Sequence, residues 1–287
     1  MLSPSEKLTF LIPVHNEEKS IAQTIAGVEI ELKKLNIDYE VIIIDDHSAD
    51  KTPEILKNIS NIKVITNPYN LGYGASLKRG IRESKGDWIM IIDADSTYPV
   101  DKILDLLKYA GEYDMVVGNR QHTKDYFGRK TAKWILRKIA GFLAGAKIPD
   151  LNSGLRVFRK SIALEFFHLF PARFSFTSTI TLACFANDYT IKYVPIPYFR
   201  RTGKSGIKSR HFFDFLALIL KIFIYFKPLK MLSPLAILFL LAGVAKGIRD
   251  IIVVAHIGTL ASILILISIQ IFLLALISEV VIKRGTR

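Results

Sequence analysis

Trp88-Ile89-Met90-Ile91-Ile92-Asp93-Ala94-Asp95-Ser96-Thr97-Tyr98-Pro99 is the stretch on which the reading of this chain turns. A run with the character of a buried strand stops at two carboxylates one residue apart, and a proline-containing turn follows. In an open α/β sheet, ligands bind beyond the carboxyl ends of the strands. Residues i and i+2 share a face of extended chain, so Asp93 and Asp95 can converge on one cation. Mg2+ takes one or two carboxylates and completes its shell with water and substrate phosphates, which suits a nucleotide-diphosphate donor. The same two acids would also serve as a helix N-cap and a turn residue. Taken alone, the pair leaves both readings open.

Working outward, the chain divides by composition. Its 287 residues are 50% hydrophobic with a formal net charge of +13, and the mean hydropathy is +0.30. Residues 1 to about 200 have the make-up of a soluble α/β domain, large enough to bury a full core, whereas the residues after 211 are mostly apolar. Cys184 is the only cysteine, which excludes a disulfide within the chain and fits a domain facing the cytosol. It lies in the apolar run Leu182-Ala183-Cys184-Phe185, as a packed thiol would. The first hydrophobic run, Leu8 to Val14, is strand-length and lacks the layout of a signal peptide, so the N-terminal domain is expected to stay on the side where it is made.

Strand-like runs at Lys7–Val14, Tyr39–Asp45, Ile62–Thr66, Asp87–Asp93 and Met115–Gly118 alternate with helical patterns at about 17–36, 51–59, 74–85 and 100–110. That alternation predicts a mostly parallel sheet with crossover helices. A basic segment follows between about 120 and 147, with Arg120, Arg129, Lys130, Lys133 and Arg137 among its cations. A further strand is expected near 190–199. The aromatic-rich segment 209–228 reads as an amphipathic helix in the membrane interface, with a core helix as the competing reading. Beyond it, residues 229–287 read as a transmembrane hairpin with spans at about 229–246 and 257–279. Lys246 and Arg249 are expected in the connecting loop. Lys227, Lys230, Lys283, Arg284 and Arg287 flank the outer ends, so the positive-inside rule leaves the catalytic domain and both termini in the cytoplasm. Nucleic acid would also answer a charge of +13, but the hairpin makes the membrane the simpler source of it.

Three further blocks end strands or open helices. In Ile12-Pro13-Val14-His15-Asn16-Glu17-Glu18, a carboxylate can accept hydrogen bonds from a nucleobase or simply complement a helix dipole. In Ile43-Ile44-Asp45-Asp46-His47-Ser48-Ala49-Asp50-Lys51-Thr52, an acid is placed to bind a ribose hydroxyl, or Ser48 or Asp50 caps a helix. Asn70-Leu71-Gly72-Tyr73-Gly74-Ala75-Ser76-Leu77-Lys78-Arg79-Gly80 fails as a dinucleotide fingerprint, because the third glycine would fall at Leu77 and the stretch follows the third strand.

In order and spacing, these blocks together with Asp93-Ala94-Asp95 resemble the inverting family 2 glycosyltransferases. Val117-Gly118-Asn119-Arg120, Leu151-Asn152-Ser153-Gly154-Leu155-Arg156 and Phe199-Arg200-Arg201-Thr202-Gly203-Lys204-Ser205-Gly206 are similar to the polyprenyl-phosphate sugar transferases, the dolichyl-phosphate mannose synthases among them. The resemblance implies an α/β, Rossmann-like GT-A domain over residues 1–208, a divalent metal (Mg2+ or Mn2+), a nucleotide-diphosphate sugar donor and a polyprenyl phosphate acceptor. It implies that Pro13, His15, Glu17, Ile44, Asp46, Lys78, Asp93 and Ala94 line the nucleotide sugar. Asp95, Asp93 and Thr97 would face the metal. Arg120, Arg129, Ser153, Arg156, Arg200, Arg201, Lys204 and Ser205 would hold the acceptor and its phosphate, with Asp93, Asp95 and Arg120 at the reaction centre. The sequence departs from the mannose synthases in carrying Thr97 where they carry a Gln metal ligand. It also has Gly206 where the late motif usually ends in Lys.

The acceptor has a physical argument of its own. A sugar hydroxyl needs a general base to remove its proton. The resemblance implies that family members with hydroxyl acceptors carry an acid in the region after the Asp-x-Asp, and the corresponding stretch here, Phe174-Ser175-Phe176-Thr177-Ser178-Thr179-Ile180-Thr181, contains no acid or histidine. A lipid phosphate is already ionised and needs only positive charge and help for the leaving diphosphate. Asp150 and Asp188 remain as fallback bases. Two other readings stand beside this one: a family 2 transferase acting on a hydroxyl acceptor, and a non-catalytic membrane scaffold or lipid-carrier binder.

Overall fold

The computed structural model describes residues 2–3, 5–121, 138–172, 175–199 and 211–285, with side chains described except at 211–215 and 283–285. Seven strands form one sheet in the order β3-β2-β1-β4-β6-β5-β7. They are β1 (Leu8–Val14), β2 (Tyr39–Asp45), β3 (Lys63–Thr66), β4 (Trp88–Ile91), β5 (Met115–Arg120), β6 (Arg156–Arg159) and β7 (Ile191–Ile196). The helices of this domain are α1 (Ile21–Leu32), α2 (Thr52–Lys57), α3 (Tyr73–Glu83), α4 (Ile103–Leu107), α5 (residues 138–144), α6 (Lys160–Glu165) and α7 (Phe176–Ala186). β1 runs parallel to β2 and β4, β2 to β3, and β5 to β7. β6 alone among them is antiparallel to its neighbours, β4 and β5. The expected mostly parallel α/β sheet is therefore present, with β6 as a strand the sequence did not announce.

Alternation along the strands builds two cores. Phe10, Ile12, Val41, Ile43, Trp88 and Met90 face one layer with α1 and α4. Leu11, Ile42, Ile44, Ile89 and Ile91 face the other, with Leu77 and Ile81 of α3 and Phe176 and Ile180 of α7. All seven residues of β1 and all four of β4 are buried, as central strands covered on both faces must be.

A third cluster joins this domain to its C-terminal helices. Ala140, Leu143, Ile148 and Leu151 pack with Leu182 and Ala186 of α7 and with Ile219, Ile222 and Phe223 of α8 (His211–Phe226). One face of α8 thus serves the core, while Ile224 and Tyr225 stay exposed.

The hairpin is α9 (Pro228–Val254) and α10 (Thr259–Gly285), 27 residues each, or about 40 Å of helix apiece. Its seam is made of small residues. Ala236, Gly243 and Gly247 are buried on α9, and Ala261, Ser268 and Ala275 are buried at seven-residue steps on α10. A Cβ on Gly243 would lie 2.8 Å from Ile265 Cγ1, and Ser268 Oγ donates to the Ala236 carbonyl at 2.8 Å. Small residues let two backbones approach where no hydrophobic effect drives association. The turn falls elsewhere than expected. Residues 246–250 do not form the connection: α9 continues through them, and Lys246 and Asp250 pair one helical turn apart. The chain reverses after Ala255, which caps the helix in the left-handed region at φ 59°. Among the described residues, Thr259–Ile282 is the one segment long and apolar enough to cross a membrane, with a mean hydropathy of 2.8.

Candidate functional site at the strand ends

Register brings the ends of β1 and β2 side by side, Val14 opposite Asp45. Asn16 and His47, each two residues past a strand end, take positive φ of 55° and 59°. The two loops are then laced together. Asn16 N–H donates to Ser48 Oγ at 2.9 Å, Ala49 N–H to Asn16 Oδ1 at 2.7 Å, Glu17 N–H to Thr52 Oγ1 at 3.0 Å, and Glu18 N–H to Asp50 Oδ2 at 3.1 Å. His15 is exposed. Its Nε2 lies 3.1 Å from Asn70 Nδ2, and its Nδ1 lies 2.8 Å from the Asp46 carbonyl. An amide nitrogen can only donate, so Nε2 accepts and Nδ1 carries the proton that the carbonyl takes.

Asp46 is 5% exposed and its carboxylate is heavily bonded. Oδ1 accepts from Asn67 Nδ2 at 2.7 Å and Leu71 N–H at 2.9 Å, and Oδ2 from Gly72 N–H at 2.8 Å. Gly72, at φ 97°, needs a conformation open to glycine. Of the other residues expected at the nucleotide, Pro13 and Ile44 are buried within their strands. The Ile44 side chain packs toward Gly80, where a Cβ would meet its Cδ1 at 2.8 Å, so only backbone at that position can face a ligand. Lys78 donates to the Phe170 carbonyl at 3.2 Å and stands 4.9 Å above the Phe167 ring. Its ammonium is engaged at the 167–170 turn rather than among the strand-end acids.

Asp93 and Asp95 lie just past β4, half-buried, with Ala94 buried between them. Tyr73, the first residue of α3, donates its hydroxyl to Asp93 Oδ1 at 3.0 Å. Burial first, and the charge of Asp93 second, push the Tyr73 phenol well above its usual range, so it stays a proton donor. On the other side Gly154 closes in: a Cβ there would lie 2.3 Å from Asp93 Oδ2. Gly154 N–H is held by the Tyr98 hydroxyl at 2.7 Å. Thr97, 1% exposed, donates its hydroxyl to Asp95 Oδ1 at 2.6 Å and its N–H to the same oxygen at 3.2 Å. This departs from the expectation of Thr97 as a metal ligand, since its side chain is buried and serves to orient Asp95. Among the described residues no group of three or more His, Cys, Asp or Glu side chains gathers. Two carboxylates are the share a protein gives Mg2+ when water and substrate phosphate complete its shell, and Asp93 and Asp95 are of that chemistry.

Arg120 ends β5 and is bound along one edge by Asp150, Nε to Oδ2 at 2.7 Å and Nη2 to Oδ1 at 2.8 Å. Its guanidinium carbon stands 5.1 Å over the Tyr198 ring. Burial alone would raise the Asp150 carboxyl, but Arg120 outweighs it and holds the group below the ordinary carboxylate range. That makes Asp150 a poor base. Asp188, the other fallback, precedes β7, which runs parallel to β5, and so lies at the amino ends of these strands, away from the site, where Lys227 pairs with it at 2.8 Å.

Two expected phosphate contacts are placed inside the protein instead. Ser153 and Arg156 are each 0% exposed. Arg156 shares a face of β6 with Phe158 and donates to the carbonyls of Ser153 at 3.0 Å and Thr177 at 2.8 Å, and to Thr181 Oγ1 at 2.8 Å. It ties the 152–154 turn to α7 and does not present itself to a ligand. Arg129, Arg200, Arg201, Lys204 and Ser205 lie outside the described residues. Tyr73, Tyr98 and Gly154 were not anticipated in this role. All three stand in the stretches read above, but their arrangement around Asp93 depends on contacts between separate loops.

An α/β sheet with acids gathered at the carboxyl ends of its parallel strands defines the class, and comparison with known proteins agrees. Residues 9–167 match the model of glycosyl transferase family 2, and residues 227–283 match the GtrB C-terminal hairpin. The chain belongs to glycosyltransferase family 2. It is 31% identical over 210 residues to the low-salt glycan biosynthesis hexosyltransferase Agl6 of Haloferax volcanii, covering 70% of this chain and 50% of that protein. It is 32% identical over 162 residues to an undecaprenyl-phosphate 4-deoxy-4-formamido-L-arabinose transferase of Proteus mirabilis, covering 54% and 50%. The chain thus spans about half the length of these curated relatives. Glucosyl-3-phosphoglycerate synthase from Mycobacterium tuberculosis, crystallised with Mn2+ and uridine-diphosphate-glucose, shares the fold. Its TM-score is 0.61 at 17% identity, over 76% of this chain and 79% of that one.

Proposed function

We propose that this protein transfers a sugar from a nucleotide diphosphate to a polyprenyl phosphate at the cytoplasmic face of a membrane, with inversion at the anomeric carbon. The acceptor assignment rests on the Arg120–Asp150 pair. It places a cation at the end of β5 and disables Asp150 as a candidate base, a combination that suits an acceptor already ionised. The relative from Proteus mirabilis, whose name specifies undecaprenyl phosphate, and the match to the GtrB hairpin support the lipid carrier.

In this reading His15, Glu17 and the backbone of the laced loops hold the nucleotide, with Asp46 shaping the pocket from below. Asp93 and Asp95 would hold a divalent cation beside the donor. That cation, when bound, neutralises charge on the leaving nucleotide diphosphate. Asp93, between Tyr73 and Gly154, fixes the donor for attack from the face opposite the nucleotide. Arg120 positions the acceptor phosphate through the guanidinium edge that Asp150 leaves uncovered, helped by Arg129, Arg200, Arg201, Lys204 and Ser205. The domain, 1–208, is carried to the surface by the 209–228 helix and the hairpin.

The test is an assay of the purified chain with a panel of radiolabelled nucleotide sugars and either undecaprenyl or dolichyl phosphate. A lipid-soluble product of inverted configuration, dependent on Mg2+ or Mn2+, is expected. No lipid-linked product from any sugar would defeat the proposal.

A further inference from the structure

Two acids at separate strand ends are joined by a short piece of backbone. Asp46 receives the N–H groups of Leu71 at 2.9 Å and Gly72 at 2.8 Å. The next residue, Tyr73, opens α3 and gives its hydroxyl to Asp93 Oδ1 at 3.0 Å. Asn67 strengthens the same connection, since its amide donates to Asp46 Oδ1 at 2.7 Å and to Ser76 Oγ of α3 at 3.0 Å. The start of α3 is therefore fastened to Asp46 at both its turn and its first helical turn.

We propose that Tyr73 is a positioning residue for Asp93 and that Asp46 acts on Asp93 through it, which rests on the reading of Asp93 as a holder of metal. The carboxylate of Asp93 has two sides. Gly154 presses on Oδ2 so closely that no Cβ fits there, and the Tyr73 hydroxyl takes Oδ1. Between them the plane of the carboxylate is set before any ligand arrives, which a charge-assisted hydrogen bond in a half-buried site does well. The aromatic ring of Tyr73 packs with the second core, so phenylalanine would keep the packing and lose only the bond to Asp93. Losing outer contacts of this kind typically costs about 10–100-fold in metal affinity.

The experiment measures Mn2+ affinity by electron paramagnetic resonance on the full chain in detergent, with UDP and in parallel with GDP. The proteins are wild type, Tyr73→Phe, Asp46→Asn, Asp93→Asn and the pairwise combinations with Tyr73→Phe. Tyr73→Phe is expected to weaken Mn2+ binding about 10-fold with an unchanged thermal midpoint. In the Asp93→Asn background it should cause no further loss, and with Asp46→Asn the losses should fall short of additive. Wild-type affinity in Tyr73→Phe overturns the proposal, as does full additivity with Asp93→Asn. Full additivity with Asp46→Asn overturns the link to Asp46. If the wild-type chain binds no Mn2+ with either nucleotide, the reading of Asp93 as a holder of metal fails and this inference falls with it, while a lipid-linked product in the transfer assay would leave the wider functional reading standing.

Discussion

The guanidinium of Arg120 meets the carboxylate of Asp150 edge to edge, with side chains 21% and 10% exposed. Removing one partner of a largely buried pair strands the other charge, so Asp150→Asn should cost about 2–4 kcal/mol, or roughly 5–15 °C in thermal midpoint. The pH dependence has a definite sign. Asp150 is held below its unfolded value in the folded state, chiefly by Arg120 against the opposing effect of burial. Its stabilisation is therefore complete above about pH 4 and is lost as the pH falls further, toward the folded value. Midpoints recorded from pH 6 to pH 3 should fall more steeply for wild type than for Asp150→Asn. Parallel profiles would rule out the pair as a source of acid sensitivity.

Thr97 supplies both its hydroxyl and its N–H to Asp95 Oδ1. Thr97→Val keeps the shape and removes the hydroxyl, so Mn2+ affinity should drop by about 10-fold or more, while Thr97→Ser should stay near wild type. Asp95→Asn sets the floor of the same titration. A Thr97→Val protein that binds Mn2+ as well as wild type would mean Asp95 needs no such support.

Gly154→Ala brings a methyl group to 2.3 Å from Asp93 Oδ2, and either the 152–154 turn or Asp93 must give way. Displacement of a reacting group by about 1 Å costs on the order of 100-fold in rate. Turnover of the donor should fall by about that factor. The protein should remain folded by circular dichroism, because the sheet is untouched. Near-normal turnover would show that the reaction does not depend on where Gly154 holds Asp93.

The parallel half of the fold was legible in the sequence for a physical reason. β1 and β4 are buried along their whole length and β2 from Val41 on, so they read as largely apolar runs, with acids at or just beyond their carboxyl ends at Glu17, Asp45 and Asp93. β6 was not legible. Its four residues, Arg156-Val157-Phe158-Arg159, begin and end in cations, and only pairing with β4 and β5 makes them a strand. The same limit governs the site. Acids at strand ends announce themselves, but which way a side chain turns is decided by contacts between loops. Arg156 lies beside a motif and looks like a phosphate ligand until the sheet's alternation sends it inward under α7. Lys246 and Arg249 look like loop residues until Lys246 finds Asp250 one turn along α9.

The C-terminal helices yield the last prediction. The α9–α10 seam uses Gly243, Gly247, Ala261, Ser268 and Ala275, while Leu238, Leu241, Ile252, Leu266 and Leu274 point outward and are more than half exposed. Helices that bury small residues and expose large apolar ones are built for an apolar surround. Deleting 229–287 should move the protein from the membrane to the soluble fraction after carbonate extraction. α8 complicates the outcome in a useful way, since its inner face belongs to the third core cluster through Ile219, Ile222 and Phe223. It should remain folded against α7 in the truncated chain and offer only its outer side, including Ile224 and Tyr225, to lipid. That side can bind reversibly, as interfacial helices do, so salt or carbonate should strip what remains. A truncated protein that resists carbonate would make α8, not the hairpin, the principal anchor.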